Sequence, residues 1–284
     1  MSNAELNVVD HSRNSAGLHY IYPVISRRSG GISVGINLNT NNSCNWRCVY
    51  CQVPDLKLGT APPVDLIMLE KELRSFLHEL LHGDFMQQRV AEGARRINDL
   101  ALSGNGEPTS AKEFALVIAL IGKLFKDLAL PSHIKLVLIS NGSLMHRPYV
   151  KEGLRQMARF NGEVWFKLDR ASTRGMQRIN NTNLSMEKVR KNLVTAIALC
   201  PTWLQTCWFA LDGMAPDKQD EDDYLSFVAG LLRDDIRLQG VLLYGLARPS
   251  LQAEAPRLAS LSEPQMEAFA ERIRAMGVVV KVSL

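Results

Sequence analysis

The second half of this chain alternates strictly between helical and extended patterns, and that alternation limits the fold more than any other feature. Apolar spacing predicts a helix over 112–128, a strand over 134–141, a helix over 147–160 and a strand over 163–169. The same order returns with a helix over 186–199, a strand over 203–211, a helix over 221–232 and a strand over 241–246. Strands separated by helices pair in parallel through right-handed crossovers. Upstream, ISVGINL and residues 98–103 supply two more strands, with helices predicted over 66–81 and 87–97 between them. Six principal strands fit a partial (β/α)6 barrel, two strands short of a closed one. A short apolar stretch over 18–25 precedes this unit; a final helix over 263–276 and a strand over 278–282 are expected to pack beside it. The expected organisation is an N-terminal extension over 1–30, a core over 31–250 and a small C-terminal addition over 251–284. The acidic run DKQDEDD, beginning at Asp217, falls where it can complement the exposed amides of a helix start. Arg170, Arg174 and Arg178 after the fourth strand, and Arg248 after the sixth, are candidate contacts for an anion.

At 284 residues with 46% hydrophobic and 22% charged content, the chain can bury one sizeable core. Its apolar runs stop short of the ~20 residues a membrane helix needs, so no membrane association is expected. The opening MSNAELNVVDHSRNSAGLHY is polar where an export signal is apolar, which predicts a cytoplasmic protein. The net charge of +4 permits an anionic partner without requiring one. Five cysteines, unevenly spaced, do not suggest a disulfide scaffold.

Three of those cysteines stand together. NNSCNWRCVYCQ places Cys44, Cys48 and Cys51 as C-x3-C-x2-C directly after the first core strand. Clustered thiolates favour iron–sulfur or zinc over magnesium or calcium. A structural zinc site takes four protein ligands, and no nearby cysteine or histidine completes the set, so three ligands point to a cluster with one open iron. His78 and His82, four apart on a predicted helix, lack a matching ligand set. Cys200 and Cys207 stand apart, Cys207 on a strand face that could line a cavity.

CNWRCVYC resembles the signature of the radical S-adenosylmethionine superfamily, including the aromatic Tyr50 before the third cysteine. The resemblance implies a [4Fe–4S] cluster on Cys44, Cys48 and Cys51, whose open iron chelates the amino and carboxylate groups of S-adenosyl-L-methionine. It also implies a partial barrel of the radical SAM type. Gly104, Asn105, Gly106 and Glu107, in GNGEPT after the second core strand, resemble the family's glycine-rich segment that meets the methionyl amino group. In VWFKLD, period-two alternation sets Trp165, Lys167 and Asp169 on one face, and the resemblance directs Lys167 and Asp169 to the carboxylate or ribose. Asn141, closing LISNG, supplies a further polar contact from the third strand, and Tyr50 helps seat the cofactor.

The wider set SRRSGGISVGINLNTNNSCNWRCVYCQ, LSGNGEPT, KLD and YGLARP resembles iron–sulfur oxidoreductases related to tRNA wyosine-biosynthesis enzymes. The chain has no cysteine before Cys44 to match the second-cluster ligands of 4-demethylwyosine synthase, so that enzyme's reaction is not carried over. The expected activity is reductive cleavage of S-adenosylmethionine for hydrogen abstraction from a substrate, with RNA the leading class. A low-potential donor such as flavodoxin or ferredoxin is the implied partner. A peptide or small acidic metabolite is the alternative substrate, and a nonenzymatic zinc-dependent RNA-binding protein is the alternative class.

Overall fold

A computed structural model describes residues 6, 16–26, 30–246 and 248–284. The strands are β1 (Ile21–Ile25), β2 (Ile32–Ile36), β3 (Ser43–Cys44), β4 (Lys57–Leu58), β5 (Ile97–Leu102), β6 (Lys135–Ser140), β7 (Gly162–Lys167), β8 (Thr202–Cys207), β9 (Ala210–Leu211), β10 (Gly240–Tyr244), β11 (Leu258–Ala259) and β12 (Val280–Ser283). The helices are α1 (Leu66–His82), α2 (Phe85–Arg89), α3 (Phe114–Asp127), α4 (Pro148–Met157), α5 (Thr173–Asn180), α6 (Met186–Leu199), α7 (Lys218–Arg233) and α8 (Glu263–Arg274).

Eight strands form one sheet in the order β1-β2-β5-β6-β7-β8-β10-β12. Every neighbouring pair in it is parallel except β1 with β2. The six expected strands are therefore the middle of the sheet, and the α/β partial barrel read from the sequence is the observed architecture. The two flanking strands come from segments expected to lie outside it. The apolar stretch near residue 20 turns back antiparallel on β2, and β12 hydrogen-bonds parallel to β10 rather than packing beside the sheet.

Period-two burial decides which way each strand faces. Ile32, Val34, Ile36, Leu100, Leu102, Leu136, Leu138, Val164, Phe166, Leu204, Val241 and Leu243 join the core beneath the helices. Their alternate neighbours Ser33, Asp99, Ala101, Ile139, Trp165, Lys167, Gln205 and Tyr244 line a cavity on the other face. Burying an aliphatic side chain from the first set stabilises the fold by about 1.5–3 kcal/mol. The second set mixes Ala101, Ile139 and Trp165 with Ser33, Asp99, Lys167, Gln205 and Tyr244, so that face turns polar and charged groups inward where the first set turns only apolar ones.

Capping follows the sequence closely. Asp65, Ser185 and Asp217 accept backbone N–H groups at the starts of α1, α6 and α7, and Ser262 with Gln265 forms a capping box on α8. The acidic run thus caps α7, as its position suggests. Two expectations need correction. Residues 87–97 do not form one helix: α2 ends at Arg89, Val90 is extended, a 3-10 turn covers Glu92–Ala94, and Ile97 opens β5. Gly93 weakens the helical pattern there, and the Arg95 guanidinium donates to the Val90 carbonyl, closing a turn instead. Helix α5 is absent from the sequence pattern, because its eight residues are mostly polar and only Met176 and Ile179 supply apolar anchors. Of the expected N-terminal extension, residues 1–5, 7–15 and 27–29, with the arginines of SRRSGG, lie outside the described residues. No helix among the described residues is long and apolar enough to cross a membrane.

Candidate active site

Strands that run parallel bring their C-terminal ends to one edge, and the loops that leave β2, β5, β6 and β7 meet there. Cys44, Cys48, Cys51, Tyr50, Gly104, Gly106, Glu107, Asn141 and Lys167 all line a single cavity of about 340 Å³. Trp165, Gln205, Tyr244 and Arg248 complete the wall nearby. The residues that the sequence scatters over two hundred positions are in this way one site.

The cysteine loop is held from three sides. Its Arg47 and Val49 amides donate to the Asn180 and Ile179 carbonyls at the end of α5, at 3.3 and 2.9 Å. The Ser250 hydroxyl donates to the Val49 carbonyl at 2.8 Å, the Leu251 amide to Cys51 at 2.9 Å, and Arg47 forms a fork with Glu254 at 2.9 and 2.6 Å. From the third side, the Asn45 amide donates to the Ser143 hydroxyl and accepts from the Asn141 amide, each at 2.8 Å.

GNGEPT sits against this loop with no room to spare. A Cβ on Gly106 would lie 2.1 Å from the Ser43 carbonyl oxygen, and Gly104 combines φ of +134° with a Cβ position 2.5 Å from Asn37 Oδ1. Glu107 is buried at the cavity wall and accepts from Thr109, the Ser140 hydroxyl and the Asn141 backbone N–H, the last two at 2.7 Å. Burial raises its carboxyl above the usual range, against the pull of those donors. Asn105 departs from its expected place: its amide nitrogen donates to Asn42 at 2.7 Å, and it is not part of the cavity wall.

Lys167 reaches into the cavity between two phenols, 3.2 Å from the Tyr50 hydroxyl and 3.1 Å from that of Tyr244. Burial disfavours its charge, but Tyr244 and the Asp169 carboxylate favour it, and the balance lies above the usual lysine range. The Tyr50 ring lies beneath the ammonium, whose nitrogen is 5.1 Å from the ring centre. Asp169 lies elsewhere. It is buried behind Tyr50, off the wall, and accepts from the Tyr50 hydroxyl at 2.5 Å, the Asn180 amide at 2.6 Å and the Cys207 backbone at 2.8 Å. Alternation places it with Lys167, but the chain has left the strand by that point. Cys207 is likewise buried in a small cluster with Val49, Tyr50, Ile179 and Phe209 rather than on the cavity wall.

The donor set fits an iron–sulfur group. Cys44, Cys48 and Cys51 turn three soft sulfur donors to one cavity wall, and burial pushes the Cys44 and Cys48 thiols up to about 12 in the absence of a bound group. Among the described residues no three His, Cys, Asp or Glu side chains converge on one ion-sized point. His78 and His82 do face each other on α1, ring centres 4.9 Å apart, away from the cavity.

The arginines divide. Arg170 is buried against the Trp208 ring at 4.2 Å, with its Nε 3.5 Å from Asp220, so it is a structural group and not part of the mouth. Arg178 pairs with the same carboxylate at 2.5 Å, Arg174 is exposed on α5, and Arg248 is at the wall, donating to Gln52 at 3.2 Å. Gln205 on the wall and Asn180 behind the cysteine loop are residues that no motif in the sequence marks. The only signal for Gln205 is its period-two place on a strand beside Lys167, with which it pairs in register.

No protein-family model matches the chain. A UPF0026 protein of Helicobacter pylori is 27% identical over 159 residues, 56% of this chain and 44% of the relative. The chain thus matches less than half the length of that curated relative. Among solved structures, a radical SAM methyltransferase from Sphaerobacter thermophilus aligns over 92% of this chain and 67% of its own, with TM-score 0.62 and 11% identity. The structure of TYW1 with a lysine-pyruvate adduct bound aligns over 86% of this chain and 72% of its own, with TM-score 0.54 and 13% identity. The chain has the fold of these radical SAM enzymes, and the resemblance read from CNWRCVYC and GNGEPT holds at that level.

Proposed function

We propose that the protein is a radical S-adenosylmethionine enzyme that modifies an RNA base. The observation that carries the reaction class is the meeting of three thiols, a glycine-rich turn and an inward-pointing lysine ammonium around one cavity at the C-terminal strand edge. Cys44, Cys48 and Cys51 would hold a [4Fe–4S] cluster. When bound, that group supplies the electron that cleaves S-adenosylmethionine to methionine and a 5′-deoxyadenosyl radical. The chain's own residues bind, orient and exclude water. Gly104 and Gly106 let backbone approach the methionyl end, Glu107 and Asn141 face it, and Lys167 offers a fixed positive charge to the carboxylate. Asp169 acts one step back, holding Tyr50 in place. A reducing compartment such as the cytoplasm and a low-potential flavodoxin or ferredoxin suit this chemistry.

Support for an RNA substrate comes from where the charge lies. Between residues 110 and 200 there are fifteen Lys+Arg against six Asp+Glu, a larger excess than the +4 of the whole chain. Part of this excess lies close to the exposed His146, whose pKa is lowered by partial burial together with Arg147, Lys188 and Lys151. The loop that carries His146 is bound to the cysteine loop through Asn141 and Ser143 and to α6 through Asn192. A phosphate backbone lying on this patch would bring a base to the mouth, a role that the buried Arg170 cannot fill.

The experiment is anaerobic reconstitution followed by reduction with S-adenosylmethionine and fractionated RNA, peptides or metabolites. The expected result is iron and sulfide near four each per chain, 5′-deoxyadenosine formation lost in C44A, C48A and C51A, and stimulation by RNA. One zinc without sulfide would reject the reaction class. Stimulation confined to peptides or metabolites would reject RNA alone.

A further inference from the structure

Asn180 closes α5 fully buried, and its side chain faces both the cysteine loop and the acid behind it. Its amide nitrogen lies 2.6 Å from Asp169 Oδ2 and 3.2 Å from Cys48 Sγ. The orientation of the amide is fixed by chemistry. Asp169 already receives the Tyr50 hydroxyl on the same oxygen, and as a carboxylate it can only accept, so the NH2 end must face it. Both amide hydrogens are then committed, one to the carboxylate and one to the sulfur. The cost falls on Asn180 Oδ1, a buried oxygen with no hydrogen-bond partner. A buried orphan oxygen is unfavourable, and an apolar side chain of similar shape would avoid it.

We infer that Asn180 is a positioning residue that donates an N–H···S hydrogen bond to the Cys48 ligand and thereby sets how readily the bound cluster accepts an electron. This inference rests on the proposed cluster. Reduction adds one negative charge to the cluster and its thiolates, and a donor aimed at one sulfur stabilises the more negative state. The bond therefore raises the reduction potential, opposing the nearby Asp169 carboxylate, which lowers it. Asn180 stands between the two and shields the sulfur from the acid. Its backbone contributes separately, since the Asn180 and Ile179 carbonyls hold the loop amides of Arg47 and Val49, which any residue at this position could do.

The test is a potentiometric titration of the reconstituted holoprotein, followed by optical and paramagnetic resonance signals. N180L should retain four iron and four sulfide per chain and shift the cluster potential to more negative values. N181G is the control. Asn181 adopts the left-handed conformation at φ 48° and its side chain donates to the Arg47 carbonyl at 2.7 Å, so this change loosens the loop without touching sulfur. Its potential should match the unaltered protein. Equal shifts in both variants, or no shift in N180L, would overturn the inference. If N180L does not load, the unaltered holoprotein made with isotopically nitrogen-labelled asparagine decides the matter. A label coupling to the reduced cluster by electron-nuclear double resonance is expected, and its absence refutes the bond. Failure of the unaltered protein to bind any cluster would instead strike the proposed function.

Discussion

Replacing Asp220 by asparagine should destabilise the protein far more than removing the arginine that touches it most closely. Asp220 faces two cations, Arg178 at 2.5 Å and Arg170 at 3.5 Å. Distance alone would rank Arg178 first, but burial reverses the order. The Arg178 side chain is 42% exposed and that of Arg170 only 2%. A solvent-screened pair contributes about 0–1 kcal/mol, whereas stripping the partner from a buried charge costs about 3–5 kcal/mol. Arg170 keeps its 2.7 Å bond to the Asp169 carbonyl and its place on the Trp208 ring, which argues for the lower end, about 3 kcal/mol. At roughly 2 °C per kcal/mol for a chain of this size, D220N should melt ~6 °C lower and R178A no more than ~2 °C lower. Anaerobic thermal and urea unfolding, read by circular dichroism, measure both. If D220N costs no more than R178A, the Arg170 charge is carried by carbonyls and the indole face, and the reasoning from burial is wrong. The consequence reaches the site, because α5 links this ion cluster to the cysteine loop.

K167M should leave iron and sulfide content unchanged and weaken S-adenosylmethionine binding at least about tenfold, the loss of one charge-assisted contact, by equilibrium dialysis. G106A must push backbone apart, because its Cβ would sit 2.1 Å from the Ser43 carbonyl; a cost of about 1–3 kcal/mol, seen as a lower melting temperature, is expected. Burial pushes the Cys200 thiol from 9.0 up to about 12, so the folded state keeps it neutral while the unfolded chain ionises first. The associated stability is whole below about pH 9 and is lost as pH rises toward about 12, and a C200A variant should show a flatter decline in urea unfolding over that range.

The alternation of patterns from residue 112 onward is enough to read a parallel sheet with helices on one face, because each period reports local burial and each crossover has one favoured hand. C-x3-C-x2-C and GNGEPT are legible for a similar reason: their ligands and glycines lie within a few residues of one another. What lies beyond local pattern is decided by packing. β1 and β12 are short apolar runs whose sequences do not say which edge they extend. Asp169 follows the face of Lys167 in sequence, yet turns behind Tyr50 once the strand ends. Arg170 and Arg178 look alike on paper, and only the fold buries one against Trp208 and leaves the other in solvent. Asn180 has no motif to mark it, because its meaning comes from a sulfur and a carboxylate that the chain brings to it from 132 and 11 residues away. Side-chain periodicity is a property of neighbours along the chain, whereas charge burial and hydrogen-bond partnership depend on neighbours in space. Pattern and spacing therefore determined the scaffold and the grouping of the three cysteines, and tertiary structure alone decided which polar residues face the cavity and which hold the site from behind.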